Sequence, residues 1–162
     1  MSPRTDPVSD TYSIRPLEGS DFDALIELFK VVFPIENKNE FLDAWLARNQ
    51  RHSCGAFASG PGTCQGETQL LAFVVCTQKD DGLLHIEFLG VSPLCQGSGL
   101  GTVLLGKVLE FCRKTNSRAT LIPVNDHRII SWYKKHGFRD YGAPRVSPYT
   151  GEMEQVMLFE VA

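Results

Sequence analysis

Apolar side chains recur every three to four residues in four stretches of the chain, a spacing that predicts four amphipathic helices. We predict helices over 21–33, Glu40–Asn49, Leu100–Lys114 and 127–136. Ser20 and Asp126 precede two of these helices and are residue types that cap helix N-termini. Pro34 ends the first helix, and Gly137 supplies the left-handed residue that ends the last.

Shorter apolar or alternating runs lie between these helices and predict seven strands. They cover Tyr12–Arg15, Ala56–Ala58, Leu70–Thr77, Leu83–Val91, Ala119–Val124, Arg139–Gly142 and Gln155–Val161. In the fourth strand, simple alternation places His85, Glu87 and Leu89 on one face and Leu84, Ile86 and Phe88 on the other. Strands and helices interleave along the chain, which indicates a mixed α/β domain.

Length and composition narrow the class of protein. With 162 residues, 43% hydrophobic content and 22% charged content, the chain has the size and composition of one globular domain. We expect a loose tail over 1–11 and a single domain over 12–162. A net charge of −3 without a basic cluster argues against nucleic acid as a partner. The absence of a long apolar run argues against a membrane.

Five cysteines, an odd number without metal-ligand spacing, indicate a reduced cytoplasmic protein that holds no metal.

The segment from Gln96 to Thr102, QGSGLGT, follows a predicted strand and opens a helix. Its three glycines lack a Cβ, so backbone N–H groups there can face one anion, and the helix N-terminus adds a positive partial charge. The spacing GxGxG differs from the GxGxxG of dinucleotide-binding folds, and no lysine stands where a P-loop needs one. The segment therefore predicts a pyrophosphate-binding loop that is neither a dinucleotide-binding fingerprint nor a P-loop.

Two motifs together resemble the GNAT superfamily of N-acetyltransferases. VSPLCQGSGLGTVLL is similar to its Q/R-x-x-G-x-G/A acetyl-CoA motif, and NDHRIISWYKKHGF to its N-x-x-A-x-x-x-Y-x-x-x-G-F helix. Asp126 stands at the usual Asn position, and Ile129 replaces Ala. The resemblance implies a single-domain GNAT fold, a mixed and mostly antiparallel central sheet flanked by helices, with acetyl-CoA as acyl donor. The residues implied in binding acetyl-CoA are Val91, Gln96, Gly97, Ser98, Gly99, Leu100, Gly101, Thr102 and Asn125.

Acetyl transfer to an amine needs a base for the ammonium proton and an acid for the departing thiolate. Tyr133 matches the family's motif tyrosine, which implies the general acid; the alternative is an aromatic side chain packed in the core. For the base, His85 and Glu87 share a strand face, and an imidazole has a pKa near 6.5 that suits proton abstraction. Glu87 either orients the imidazole or acts as the base in its place. The alternative for both residues is a structural His–Glu pair at a strand end.

The sequence identifies the acceptor substrate less closely than the acyl donor. LIELFKVVFPIENKNEF resembles the helix–loop segment of NatE-type N-terminal acetyltransferases, which implies that Phe33, Pro34 and Ile35 line a peptide pocket, with Tyr149 near it. A helix closed by proline is the alternative, and the strand ATLIPV lacks the histidine of NatE enzymes.

Three functions stay open on these grounds. They are N-acetylation of a protein N-terminus or peptide, N-acetylation of a small metabolite amine, and non-catalytic acyl-CoA binding. Either enzyme is expected as a monomer or homodimer.

Overall fold

A computed structural model describes residues 12–33, 52–58, 69–79, 81–148 and 151–161 of the chain. The predicted second helix over Glu40–Asn49, the tail over 1–11, and Pro34, Ile35 and Tyr149 lie outside the described residues. The helices are α1 (Phe22–Val32), α2 (Leu100–Thr115) and α3 (His127–Lys135). The strands are β1 (Tyr12–Pro16), β2 (Cys54–Ala58), β3 (Gln69–Gln78), β4 (Leu84–Val91), β5 (Ala119–Leu121), β6 (Arg139–Asp140), β7 (Arg145–Val146), β8 (Met153–Glu154) and β9 (Met157–Phe159).

Seven of the strands form one sheet in the order β1-β2-β3-β4-β5-β9-β6. Every described pair in this sheet is antiparallel except β4 with β5. The prediction of a mixed, mostly antiparallel sheet flanked by helices is confirmed. A separate two-stranded ladder, β7 with β8, was not predicted. No helix within the described ranges is long and apolar enough to cross a membrane.

The interior strand β3 is buried on both faces, which explains its nearly continuous apolar sequence. Phe73 and Val75 pack in a cluster with the apolar face of α1. Val74 and Cys76 pack in a second cluster with the apolar stripe of α2. The next strand, β4, also contacts both α1 and α2.

A β-bulge interrupts β4 at Glu87. Cys76 of β3 pairs with Ile86 while the next residue, Val75, pairs with Phe88, so Glu87 is the extra residue. The extra residue reverses the alternation that follows it. Phe88 therefore packs in the α1 cluster and Leu89 against the α2 cluster, on opposite faces. The prediction that Phe88 shares a face with Leu84 and Ile86, and Leu89 with His85 and Glu87, is wrong for this reason.

Helix α3 begins and ends as its sequence predicts. The Asp126 side chain accepts a hydrogen bond from the Arg128 N–H at 2.9 Å. At the other end Gly137 adopts φ +97°, and the N–H of Phe138 donates to the carbonyl of Tyr133 at 3.2 Å. Both ends of α3 are therefore capped, and its Tyr133 side chain is buried in the cluster that contains the apolar stripe of α2.

The start of α1 differs from the prediction that Ser20 caps it. A short 3-10 turn, Gly19–Asp21, precedes the helix, and the Asp21 carboxylate accepts the N–H of Glu18 at 2.8 Å. The same carboxylate takes two hydrogen bonds from Arg15, both at 2.8 Å. The Arg15 guanidinium also lies 3.7 Å from the centre of the Phe57 ring, which ties this turn to the sheet.

We expect Asp21→Asn to lower the free energy of unfolding by about 1 kcal/mol near neutral pH, because the buried carboxylate loses its charge-assisted hydrogen bonds with Arg15, whose side chain is 36% exposed and screened by solvent. The hydrogen bonds from Arg15 hold the pKa of Asp21 below its ordinary value. This stabilisation is therefore complete above about pH 4 and is lost as the pH falls through the lower pKa of the folded protein. Urea unfolding across pH 2–7 measures it, with exposed Asp23→Asn as control. A stability difference that does not change with pH contradicts this assignment.

Candidate active site

The loop between β4 and α2 has the backbone geometry that suits an anion-binding cradle. A 3-10 turn over Pro93–Cys95 leads into Gly97 and Gly99, which adopt φ +82° and +87°, values that glycine reaches without a steric penalty. The first described hydrogen bond of α2 runs from the Val103 N–H to the Gly99 carbonyl at 3.0 Å. The amide groups that precede it in the helix therefore have no helical acceptor and lie at the positive end of a 16-residue helix.

These amides open onto a cleft of about 370 Å³. The residues that line it are Val91, Cys95, Gln96, Gly97, Gly99, Leu100, Gly101, Thr102 and Trp132. None of these side chains carries a charge, so among the described residues the attraction for an anion comes from backbone amides and the helix dipole. The residues present fit the pyrophosphate and pantetheine of acetyl-CoA: amides for the phosphates, and apolar walls for the arm.

Seven of the nine residues predicted to bind the donor line this cleft. Ser98 instead braces the loop, because its hydroxyl and its N–H both donate to the carbonyl of Cys95. Asn125 is exposed one residue before the cap of α3 and does not line the cleft. Its role in donor binding therefore has no support from this geometry.

Trp132 lines the cleft although the sequence analysis assigned it no role. A Cβ placed on Gly101 would lie 3.5 Å from Val91 Cγ2 and 3.9 Å from Trp132 Cζ2, so the indole closes one side of the cleft opposite the start of α2. Its ring also contacts Tyr133 edge-on, with centroids 4.9 Å apart. The one available signal was its position next to the motif tyrosine.

We expect acetyl-CoA to change the fluorescence of Trp132, because binding replaces water against the indole. The chain has two tryptophans, so the Trp45→Phe variant should keep the change and Trp132→Phe should lose it. A steady-state emission titration with acetyl-CoA measures both variants. A change that follows Trp45 instead would mean that this cleft does not hold the donor.

His85 and Glu87 lie together at the bulge of β4. The His85 Nε2 atom is 3.8 Å from Glu87 Oε2, and the two side chains are 19% and 20% exposed. On its other side, His85 Nδ1 lies 2.9 Å from the hydroxyl oxygen of Thr120, its partner in the β4–β5 register. The pair predicted from sequence is therefore real, partly screened from solvent, and extended by a threonine that the sequence analysis missed.

Burial lowers the pKa of His85 below its ordinary value, because desolvation disfavours the imidazolium. Glu87 acts in the opposite direction, while Lys79 and Arg145 add to the lowering. The imidazole is therefore neutral near neutral pH and can accept a proton.

Tyr133 is 8% exposed in the α2 cluster and contacts Phe138 with ring centroids 5.6 Å apart. Burial raises its pKa to about 12, so the phenol keeps its proton at any physiological pH. The ring packs in the core, as the alternative interpretation expects. The general-acid role of its hydroxyl stays a prediction.

Tyr133→Phe is expected to lower kcat by about 10²-fold if the hydroxyl protonates the thiolate. The ring packing is kept, so the unfolding temperature should change little. Activity on a free amine, read as released CoA thiol, measures the effect, and Tyr141→Phe, 47% exposed, is the control. A wild-type kcat in Tyr133→Phe would remove the acid role.

Phe33 is the one described member of the predicted acceptor pocket. It follows α1 and packs on Phe29 and Phe88, with ring centroids 5.2 and 5.4 Å away. Phe88 adjoins the bulged Glu87, so Phe33 is placed by the same strand that carries the His85–Glu87 pair. The predicted roles of Pro34, Ile35 and Tyr149 concern residues outside the described part of the chain.

The sheet, the glycine loop after β4 and the cleft together define an acetyltransferase fold. The family model described as the acetyltransferase (GNAT) family matches residues 22–138, and the chain belongs to that family. The family uses acetyl-CoA as its acyl donor and consists of acyltransferases. The resemblance inferred from the two sequence motifs is thereby confirmed.

The curated relatives of this chain are identical to it at only about a quarter of the aligned positions. An uncharacterized N-acetyltransferase of Methanocaldococcus jannaschii is 25% identical over 148 residues, which cover 80% of this chain and 62% of the relative. The uncharacterized protein YxbD of Bacillus subtilis is 28% identical over 82 residues, 49% of this chain and 50% of YxbD. The chain thus spans half to two thirds of the length of these curated relatives.

Solved structures share the fold. Arabidopsis thaliana Naa50 in complex with the bisubstrate analogue CoA-Ac-MVNAL matches with a TM-score of 0.75 at 22% identity, covering 93% of this chain and 99% of that one. Ard1 from Thermoplasma volcanium matches with a TM-score of 0.78 at 17% identity, covering 94% and 99%. At these identities the likeness establishes the fold.

Proposed function

We propose that the protein transfers an acetyl group from acetyl-CoA to an α-amine, with the N-terminus of a peptide as the acceptor. The observation that carries the proposal is the His85–Glu87 pair, held on the strand that leads into the glycine loop. When bound in the cleft, acetyl-CoA supplies the activated acetyl thioester. The residues of β4 then have to hold the amine and remove its proton.

The pair has the charges that this task requires. An α-amine arrives largely protonated, and the carboxylate of Glu87 attracts the ammonium. The neutral imidazole of His85 accepts the proton, directly or through one water, and leaves the amine nucleophilic. Tyr133, in the cluster that contains the apolar stripe of α2, supplies the proton for the departing thiolate.

A neutral imidazole is a weak base, so an α-amine, whose pKa is lower, is the better acceptor for His85 than a lysine or polyamine amine. An α-amino group has a pKa of about 8 and a lysine amine about 10.4, so transfer of the lysine proton to the same base costs roughly 3.3 kcal/mol more. A buried histidine is therefore a better base for the first substrate than for the second. This argument supports the peptide N-terminus and also leaves free amino acids as acceptors.

Among α-amine acceptors, two structural neighbours favour a peptide N-terminus over a free amino acid. One is complexed with a bisubstrate analogue that contains the peptide MVNAL, and another is the ribosomal-protein-S18-alanine N-acetyltransferase of Escherichia coli, with a TM-score of 0.74 at 18% identity. Their acceptors belong to those proteins, and their likeness to this chain is one of fold. A small metabolite amine is the alternative acceptor.

A panel of acceptors tests the proposal. Each is incubated with protein and acetyl-CoA, and free CoA thiol is read: a peptide that begins with Met, the same peptide blocked at its N-terminus and carrying one lysine, a free amino acid, and spermidine. We expect the highest kcat/KM for the unblocked peptide. Activity restricted to spermidine or to the blocked peptide contradicts the α-amine assignment. Acetyl-CoA binding without turnover on any acceptor favours a non-catalytic acyl-CoA-binding role.

A further inference from the structure

We infer that Thr120 is a positioning residue for His85: it accepts the Nδ1–H of the ring and thereby leaves Nε2 free to take the proton of the amine. The inference rests on the proposed function for its catalytic meaning. The hold of Thr120 on the ring is a structural claim that can be tested without any turnover.

Thr120 is the polar residue of an otherwise apolar strand. It stands between Ala119 and Leu121 in β5, and all three residues are buried, Thr120 to 6% exposure. A buried hydroxyl needs a hydrogen-bond partner, and among the described residues its side chain finds one in His85 Nδ1 at 2.9 Å. The contact follows from the parallel β4–β5 register, in which these two residues are partners.

The hydroxyl of threonine can donate or accept, so the tautomer of the ring decides what His85 can do. If Nε2 carried the proton, Nδ1 would be occupied by the threonine O–H, and neither nitrogen could act as a base. If Nδ1 carries the proton and donates it to Thr120, the lone pair of Nε2 is available. The proposed reaction therefore requires the Nδ1–H form, which the hydroxyl oxygen of Thr120 can hold.

The unprotonated Nε2 atom of His85 then lies near the carboxylate of Glu87. Nε2 lies 3.8 Å from Glu87 Oε2, farther than a hydrogen bond but within the span of one ammonium nitrogen that donates to both atoms at about 2.8–2.9 Å each. In the transfer, the N–H bond of the ammonium breaks, an Nε2–H bond forms, and the ring becomes an imidazolium. Its Nδ1–H still donates to Thr120, as a stronger, charge-assisted hydrogen bond.

Other charges act on the ring and must be kept constant in a test. Lys79, at the end of β3, and Arg145, on β7, are the described cations whose charge disfavours the imidazolium, and Glu87 favours it. Substitutions at Thr120 leave all three in place. Thr120→Val keeps the shape and removes the hydroxyl, whereas Thr120→Ser keeps the hydroxyl.

The experiment compares wild type, Thr120→Val and Thr120→Ser in two readouts. Nitrogen-15 NMR of the histidine rings reports which nitrogen is protonated and gives the His85 pKa, with His85→Gln used to assign the signal among the four histidines. The pH profile of kcat/KM on the peptide that begins with Met reports the consequence for turnover.

We expect the Nδ1–H form in the wild type and in Thr120→Ser, and a shift toward Nε2–H in Thr120→Val. Thr120→Val should lose about 3- to 10-fold in kcat with little change in KM for acetyl-CoA, the size of one net hydrogen bond. Its His85 pKa should fall, because the imidazolium loses an acceptor, and the acid limb of the pH profile should move to lower pH.

An Nε2–H ring in the wild type overturns the inference, as does a Thr120→Val protein whose tautomer, pKa and kcat match those of the wild type. A raised pKa in Thr120→Val also overturns it, because that sign means that Thr120 donates. If the wild type shows the Nδ1–H form but acetylates no amine, the proposed function fails while the structural hold of Thr120 on the ring stands.

Discussion

His85→Gln is expected to lower kcat on an α-amine by about 10²–10⁴-fold, the usual contribution of a general base. Glutamine fills a similar volume and can still contact Thr120, but it accepts no proton. The dissociation constant for acetyl-CoA should stay unchanged, because His85 does not line the cleft that we assign to the donor. Turnover by CoA release and donor affinity by calorimetry separate the two effects.

His127→Gln is the matched control, since His127 is exposed in the first turn of α3. It should retain wild-type kcat and wild-type affinity for acetyl-CoA. Equal activity in His85→Gln and His127→Gln would leave the His85–Glu87 pair with a structural role alone, the alternative that the sequence left open.

The sign of the pH dependence tests the same assignment. A base must be unprotonated, so kcat/KM should fall as the pH falls through the His85 pKa, which lies below its ordinary value. Glu87→Gln removes the neighbour that raises this pKa, so the acid limb should move to still lower pH. The titration of the amine is the same in both proteins and does not affect the difference. A limb that moves to higher pH contradicts the assignment.

Gly99→Val is expected to weaken acetyl-CoA binding by about 10²-fold, or roughly 2.7 kcal/mol. No atom lies within 4 Å of a Cβ built on Gly99, so the free protein has room for the side chain. That open space adjoins the amides at the start of α2, where the pyrophosphate has to approach. The left-handed φ of +87° adds strain, about 1–2 kcal/mol for a residue with a Cβ.

The strain has to be separated from the loss of binding. Gly82→Val is the matched control, because Gly82 has φ +82° and the same open surroundings but lies in the β3–β4 turn, away from the cleft. Both variants should lose similar stability in thermal unfolding, and Gly99→Val alone should lose affinity in calorimetry. Equal affinity in the two variants would mean that the glycine loop does not hold the donor.

The helices near the site could be predicted because their signals are local. The apolar stripe of α2, the Asp126 cap of α3 and the Gly137 end of α3 each lie within a few residues of the structure they determine. The cradle was predictable for the same reason, since three glycines directly before a helix suffice to indicate it. Most of the predicted donor residues accordingly line one cleft.

Features that depend on pairing between distant segments were missed. The bulge at Glu87 is set by the register between β3 and β4, and simple alternation cannot show it. The contact of Thr120 with His85 joins residues 35 positions apart through a parallel pair. Trp132 has no motif role in the sequence, and only the approach of α2 to α3 brings it to the cleft. The β7–β8 ladder is too short to leave a periodic pattern.

The central claim is that this chain acetylates an α-amine with acetyl-CoA. It is tested most directly by locating the acetyl group on a peptide that begins with Met and also carries a lysine, using tandem mass spectrometry after incubation with the wild-type protein and acetyl-CoA. The account predicts one acetyl group, on the N-terminal nitrogen, and its near absence with His85→Gln. Acetylation of the lysine alone, or an unmodified peptide with the wild-type protein, would contradict it.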